Sequence, residues 1–144
     1  MTGYSIGVDL GGTNLRAAAI DSSGKILEKI AGATNFSEGR DAVMSDIVSA
    51  MSALRNRHGA PALAGIGIGV PGFIQFKEGI VRNANNLPFL ENFAMRDALE
   101  QRLESIVILE NDANAAALGE KWMGAGRETD DLVLLTLEIG RAHV

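Results

Sequence analysis

A chain of 144 residues, 47% hydrophobic and 22% charged, carries enough apolar side chain for one ordinary globular core. Its net charge of -5 supplies no positive field for nucleic acid or an anionic membrane surface, so any phosphate it binds must be held locally. It has no cysteine, which excludes a disulfide frame and a thiolate metal site, and no apolar stretch nears the roughly 20 residues of a bilayer span. No basic segment followed by an apolar one opens the sequence, so the expectation is a cytoplasmic protein with neither nucleic-acid nor membrane partners.

In chain order, residues 4–8 and 15–20 are two apolar β-type runs separated by a short segment containing Gly11 and Gly12, which predicts two strands joined by a tight turn. Asp21, Ser22, Ser23 and Gly24 have turn composition, and residues 25–30 read as a third strand. From 39 to 58 the period changes. Val43, Ile47, Ala50, Met51 and Leu54 recur at helical spacing, predicting a helix stopped by Gly59 and Pro61, with His58 as a favourable charge at its end. Residues 63–70, LAGIGIGV, are apolar throughout, as in a strand covered on both faces. Residues 73–76 and 80–82 should pair as a hairpin, and 83–88 should be irregular loop. A helix over 92–102 with Asn92 as N-cap, a buried strand over 106–110, an alanine-rich helix over 111–123 with Trp122 and Met123 as packing residues, and a strand starting at 132–137 complete the order. The fold class is α/β: a mixed sheet with an antiparallel edge meander, a parallel centre, and helices on the faces.

The segment VDLGGTNLR (8–16) sets two glycines and a threonine just after an acid. Gly11 and Gly12 permit positive φ and leave no Cβ in the path of an anionic oxygen, while Thr13 adds a hydroxyl donor. Asp9 would repel a bare phosphate, so a divalent cation belongs between them. Mg²⁺ suits the place, since it keeps several waters and needs only one or two carboxylates. A hairpin turn chosen for its geometry alone also fits these residues.

In ENDANAAALGE (110–120), Asn111 and Asp112 fall at the C-terminal end of a strand, where open α/β sheets bind ligands. Either residue caps the next helix, or Asp112 takes the proton of a hydroxyl attacking phosphorus while Asn111 fixes that hydroxyl. Pro71 and Gly72 break a buried strand. Asn83, Asn85 and Asn86 offer amides that match sugar hydroxyls, or simply form turns.

Together DLGGTNLR, GIGVPG, NNLP and ENDANAAALGE, in this order and spacing, resemble the N-terminal half of a ROK-family sugar kinase of the bacterial glucokinase type, over residues 4–137. The resemblance implies a ribonuclease H-like, actin-like ATPase domain that closes with a second one around ATP and sugar. It implies ATP and Mg²⁺ as cofactors, with Asp9 near the metal through water and Gly11, Gly12, Thr13 and Asn14 in the phosphate loop. By the same resemblance Asp112 is the general base, and Gly72, Asn86, Asn111 and Asp112 meet the sugar. The activity implied is ATP-dependent phosphorylation of the 6-hydroxyl of glucose by a protein that is a homo-oligomer at full length. Fructose, mannose or an N-acetylhexosamine are the alternative sugars, and TNLR at 13–16 favours glucose. A sugar-sensing regulator of the family is the other alternative, and its helix-turn-helix would have to precede the first strand, where residues 1–4 leave no room. In the family a second ATPase domain with a structural zinc site follows. The expectation here is an N-terminal domain over 1–137, the second starting at about 130–137 and otherwise missing, and a non-native tail over 138–144, where 139–144 spell a sequencing adapter in one frame. Such a fragment should be inactive alone.

Overall fold

The computed structural model describes residues 3–136. The chain begins with three strands, β1 (Tyr4–Leu10), β2 (Asn14–Asp21) and β3 (Ile26–Ala33), paired antiparallel in succession. Along β1 the pattern alternates: Tyr4, Ile6, Val8 and Leu10 are buried while Ser5 and Asp9 are exposed, the signature of a strand with one face on a core. Helix α1 (Arg40–His58) turns Val43, Met44, Ile47, Ala50, Met51 and Leu54 inward and stops at Gly59, whose φ of +90° suits glycine. There follow β4 (Leu63–Val70), a small antiparallel sheet of β5 (Phe73–Gln75), β6 (Ile80–Arg82) and β7 (Phe93–Ala94), then α2 (Met95–Leu103), β8 (Val107–Asn111) and α3 (Asp112–Met123).

The main sheet has the order β3-β2-β1-β4-β8, and both β1–β4 and β4–β8 are parallel. Three strands therefore end at one edge, at Leu10, Val70 and Asn111. One face of the sheet presents Ile6, Val8, Ile66, Ile68, Val107 and Leu109 to the core shared with α1 and α2, and burying each of the larger side chains contributes about 1.5–3 kcal/mol. The other face carries α3. A Cβ on Gly69 would lie 3.4 Å from Asp112 Cα and 3.6 Å from Ala115 Cβ, so this glycine is what lets the helix start so close to the sheet. No helix among the described residues is long and apolar enough to cross a membrane.

Five expectations are corrected. The strand expected buried over 106–110 is β8, which starts at Val107 and is covered on one face only, with Ile108 64% exposed. Residues 92–94 do not open the helix: Asn92, at φ 59°, donates its N–H to Val81 O, Phe93 and Ala94 pair with β6, and α2 starts only at Met95 with no side-chain cap. β4 is apolar throughout but covered on both faces only at its end, because Gly67 on the α3 side is exposed. Residues 132–136 join no ladder, and Val133 and Leu135 are 85% and 84% exposed. Trp122 and Met123 are 55% and 48% exposed, although Met123 rests against the β2–β3 turn at Gly24. The expectations for Leu137 and for the tail at 138–144 fall outside the described residues.

Candidate active site

The turn between β1 and β2 is closed by the Gly11 N–H donating to Asn14 O at 2.9 Å and anchored by the Thr34 N–H on Thr13 O at 3.3 Å. Neither Gly11 nor Gly12 adopts a positive φ, which corrects the expectation that the turn needs glycine for its backbone angles. A Cβ on Gly12 would meet nothing within 4 Å, and one on Gly11 only Asn14 O at 3.4 Å. What the glycines leave is uncovered main chain. Asn14 Nδ2 donates to Thr13 Oγ1 at 3.1 Å, so the threonine O–H is left to donate elsewhere. Asp9 is exposed on the α3 side of the sheet, with Gly69 beside it in the parallel register and Arg16 in the antiparallel one.

Asn111 is the N-cap of α3, its Oδ1 accepting from the N–H groups of Ala113 at 3.0 Å and Asn114 at 3.1 Å. Its Nδ2 donates to Gly72 O at 2.8 Å, tying the turn after β4 to the end of β8. One Nδ2 hydrogen remains for a ligand, so capping and ligand contact do not compete for this side chain. Asp112 takes the first helical position; its Oδ1 accepts from the Ala113 N–H at 2.8 Å, leaving Oδ2 without a hydrogen bond among the described residues. Asp112 lies over Gly69, and Gly69 neighbours Asp9 in the ladder, so both acids are on the α3 side of the sheet.

Gly72, at φ +115°, packs against the loop that follows β6: a Cβ there would be 2.6 Å from Arg82 O and 3.3 Å from Ala84 N and Cα. In that loop Ala84 and Leu87 are buried and joined by a 2.8 Å backbone hydrogen bond, which presents Asn85 and Asn86 at an exposed tip. Asn83, with φ 52°, serves the backbone instead. A cavity of about 280 Å³ lies beside this junction, lined by Gly72, Phe73, Glu110, Asn111 and Asn114 among others. Glu110, which no motif in the sequence singles out, joins them: its carboxylate accepts from the Asn111 N–H.

The donor set fits magnesium better than a transition metal. No group of three or more His, Cys, Asp or Glu gathers among the described residues, while Asp9 with bare main chain beyond it offers what a cation sharing its ligands with water and phosphate oxygens requires.

Residues 5–141 match the ROK family. The chain is 43% identical over 135 residues to the glucokinase of Thermotoga maritima, covering 94% of this chain and 42% of that protein. It is 33% identical over 132 residues to the beta-glucoside kinase of Klebsiella pneumoniae, covering 92% and 42%. Among solved structures, the ROK family glucokinase from Streptomyces griseus in complex with glucose and AMPPNP superposes with a TM-score of 0.78 at 35% identity, over 86% of this chain and 38% of that one. The chain thus spans about two fifths of the length of these relatives. Its mixed sheet is that of the actin-like ATPase fold. With four fifths or more of the residues aligned in each comparison, and the family's own pattern running from 5 to 141, the chain belongs to the ROK family.

Proposed function

We propose that the chain is the first domain of an ATP-dependent hexose kinase whose acceptor is the 6-hydroxyl of glucose. The observation that carries the reading is the placement of Asp9 beside Gly69 and of Asp112 over it, at an edge that also gathers the bare β1–β2 turn and the Gly72–Asn111 junction. An acid facing a phosphate loop, and a second acid facing amides, separate the two carboxylates into two tasks. The names of the relatives, two kinases of glucose or its glycosides, support sugar as the acceptor, and the AMPPNP complex of the Streptomyces griseus glucokinase supports ATP as the donor.

In this reading the free Nδ2 hydrogen of Asn111 and the amide of Asn86 orient the sugar hydroxyls. Asp112 Oδ2 accepts the proton of the 6-hydroxyl as its oxygen bonds to the γ-phosphorus and the bond to the β-phosphate oxygen breaks, leaving ADP. The main-chain N–H groups of Gly12 and Thr13 and the Thr13 hydroxyl donate to phosphate oxygens, and Asn14 holds Thr13 in place. Asp9 would hold magnesium, which when bound would supply charge neutralisation for the phosphates.

Replacing Asp112 with asparagine in the full-length protein keeps shape and hydrogen bonding but removes the base. Glucose phosphorylation should fall by about 10²- to 10⁴-fold with folding unchanged. An Asp112→Asn enzyme with undiminished kcat, or ATP hydrolysis indifferent to added sugar, would refute the reading. A panel of hexoses and β-glucosides in the same assay names the acceptor.

A further inference from the structure

The N-terminus of α3 carries an arrangement that the proposed chemistry does not use directly. In a capping box the N-cap side chain accepts from the N–H of the third helical residue, whose own Glu or Gln side chain reaches back to the N-cap N–H. Here the forward half is present, Asn111 Oδ1 accepting from the Asn114 N–H at 3.1 Å. The return half cannot come from Asn114, whose side chain is too short to take that role and is turned elsewhere. Instead Glu110 Oε1 accepts the Asn111 N–H at 2.7 Å and Asn114 Nδ2 at 3.1 Å. One carboxylate oxygen, supplied from the strand rather than from the helix, thus closes the box from the opposite side.

The geometry points to Glu110 as a positioning residue for the sugar-side and base residues. Its two hydrogen bonds fix the N–H of Asn111 and the Asn114 amide, on either side of the Asn111–Asp112 step, and the strand register holds Glu110 itself, paired with Gly69, in the row that also contains Asp9. Asn111 then has no rotational choice left: its backbone is held by Glu110, its Oδ1 by the helix start, and one Nδ2 hydrogen by Gly72 O. Asp112 follows on the next peptide, so a fixed Asn111 also fixes where the base begins. Without the Glu110 oxygen, the Asn111 N–H and the Asn114 amide are both released, and the peptide entering Asn111, one residue ahead of the base, is free to tilt.

This inference rests on Asp112 as the base, and the test separates the two. In the full-length protein, Glu110→Ala should lower kcat/KM for the sugar by about 10²-fold, the effect of a displacement on the order of 1 Å at a reacting group, with KM for ATP unchanged. Glu110→Gln keeps a carbonyl oxygen in the same place and should recover most of the loss. Asn114→Ala removes one of the two hydrogen bonds and should show the same sugar-side defect at smaller amplitude. Wild-type sugar kinetics in Glu110→Ala would overturn the proposal, as would a Glu110→Gln enzyme as impaired as Glu110→Ala, since the charge would then act directly on metal or substrate. If Glu110→Ala does not fold, a wild-type sugar KM and kcat in Asn114→Ala overturns it instead. An active Asp112→Asn enzyme sinks the role of the base, whereas an inactive Asp112→Asn beside a fully active Glu110→Ala sinks only the role of Glu110.

Discussion

A methyl group at position 72 would stand 2.6 Å from the Arg82 carbonyl oxygen on a backbone whose φ is +115°, so glycine there answers to the fold twice over. At position 12 neither constraint exists: the φ is not positive and a methyl group would point into open space. The two glycines therefore predict opposite phenotypes. Gly72→Ala should destabilise the protein by about 1–3 kcal/mol from backbone strain, with more from the overlap, and should disturb Asn111 through its bond to Gly72 O. Gly12→Ala should leave stability unchanged or raise it by about 0.4–1 kcal/mol, because alanine narrows the unfolded ensemble, yet raise KM for ATP by obstructing the approach of phosphate to the main chain. Thermal melts paired with ATP titrations check both, and a Gly12→Ala protein with unchanged ATP affinity would remove the phosphate loop from this turn.

At the scale of elements, α1 is tied to β3 by Glu28, which pairs with Arg57 and accepts from His58 Nε2 at 2.9 Å. The Arg57 hydrogen bond, followed by that of His58, holds the Glu28 carboxyl below its ordinary value of 4.5. A depressed carboxyl pKa contributes stability that is complete above the unfolded value and lost as pH falls through the folded one. Melting temperatures of the wild type and Glu28→Gln should therefore differ at neutral pH, the gap beginning to shrink as pH falls past 4.5 and closing once the folded carboxyl is protonated; a gap undiminished by acid would contradict the assignment. The neighbouring elements show what was legible in the sequence. α1 announced itself through five apolar positions at helical spacing, and β4 through an unbroken apolar run. β7 is only two residues long, too short for any period to register, and its pairing with β6 was what displaced Asn92 from a capping role. The exposed side of β4 is hidden in the sequence because a glycine raises the apolar count without bringing a side chain to bury. At the site, Asp9, Asn111 and Asp112 stood out through residue type and position at strand ends. The partner that gives Asn111 its second task, Gly72, is 39 positions away, and no local pattern reaches that far.

For the molecule as a whole, the proposed reading draws the phosphate loop, Asn111 and both carboxylates from strand ends along one edge of the main sheet, and Asn86 from the loop after β6 of the small one. Phosphoryl transfer is chiefly alignment and charge stabilisation around a water-poor centre, and a single edge exposes donor and acceptor to solvent on the side facing away from the sheet. The chain spans 42% of the length of the Thermotoga maritima glucokinase, and the proposal of a two-domain kinase assigns the opposing wall to the remainder. Mixing purified residues 1–144 with glucose, ATP and Mg²⁺ should accordingly give turnover lower by about 10²-fold or more than a polypeptide of the relatives' length, the loss expected when reacting groups are no longer held in register. Isothermal titration with each ligand alone then asks what the first domain retains: weak sugar binding that the Asn111→Ala substitution abolishes would tie the residual affinity to the cap residue, which loses its free Nδ2 hydrogen together with the helix cap and the bond to Gly72 O. Turnover by residues 1–144 close to that of the longer polypeptide would mean that one sheet edge suffices to align phosphorus and alcohol, and the two-walled site would have to be abandoned.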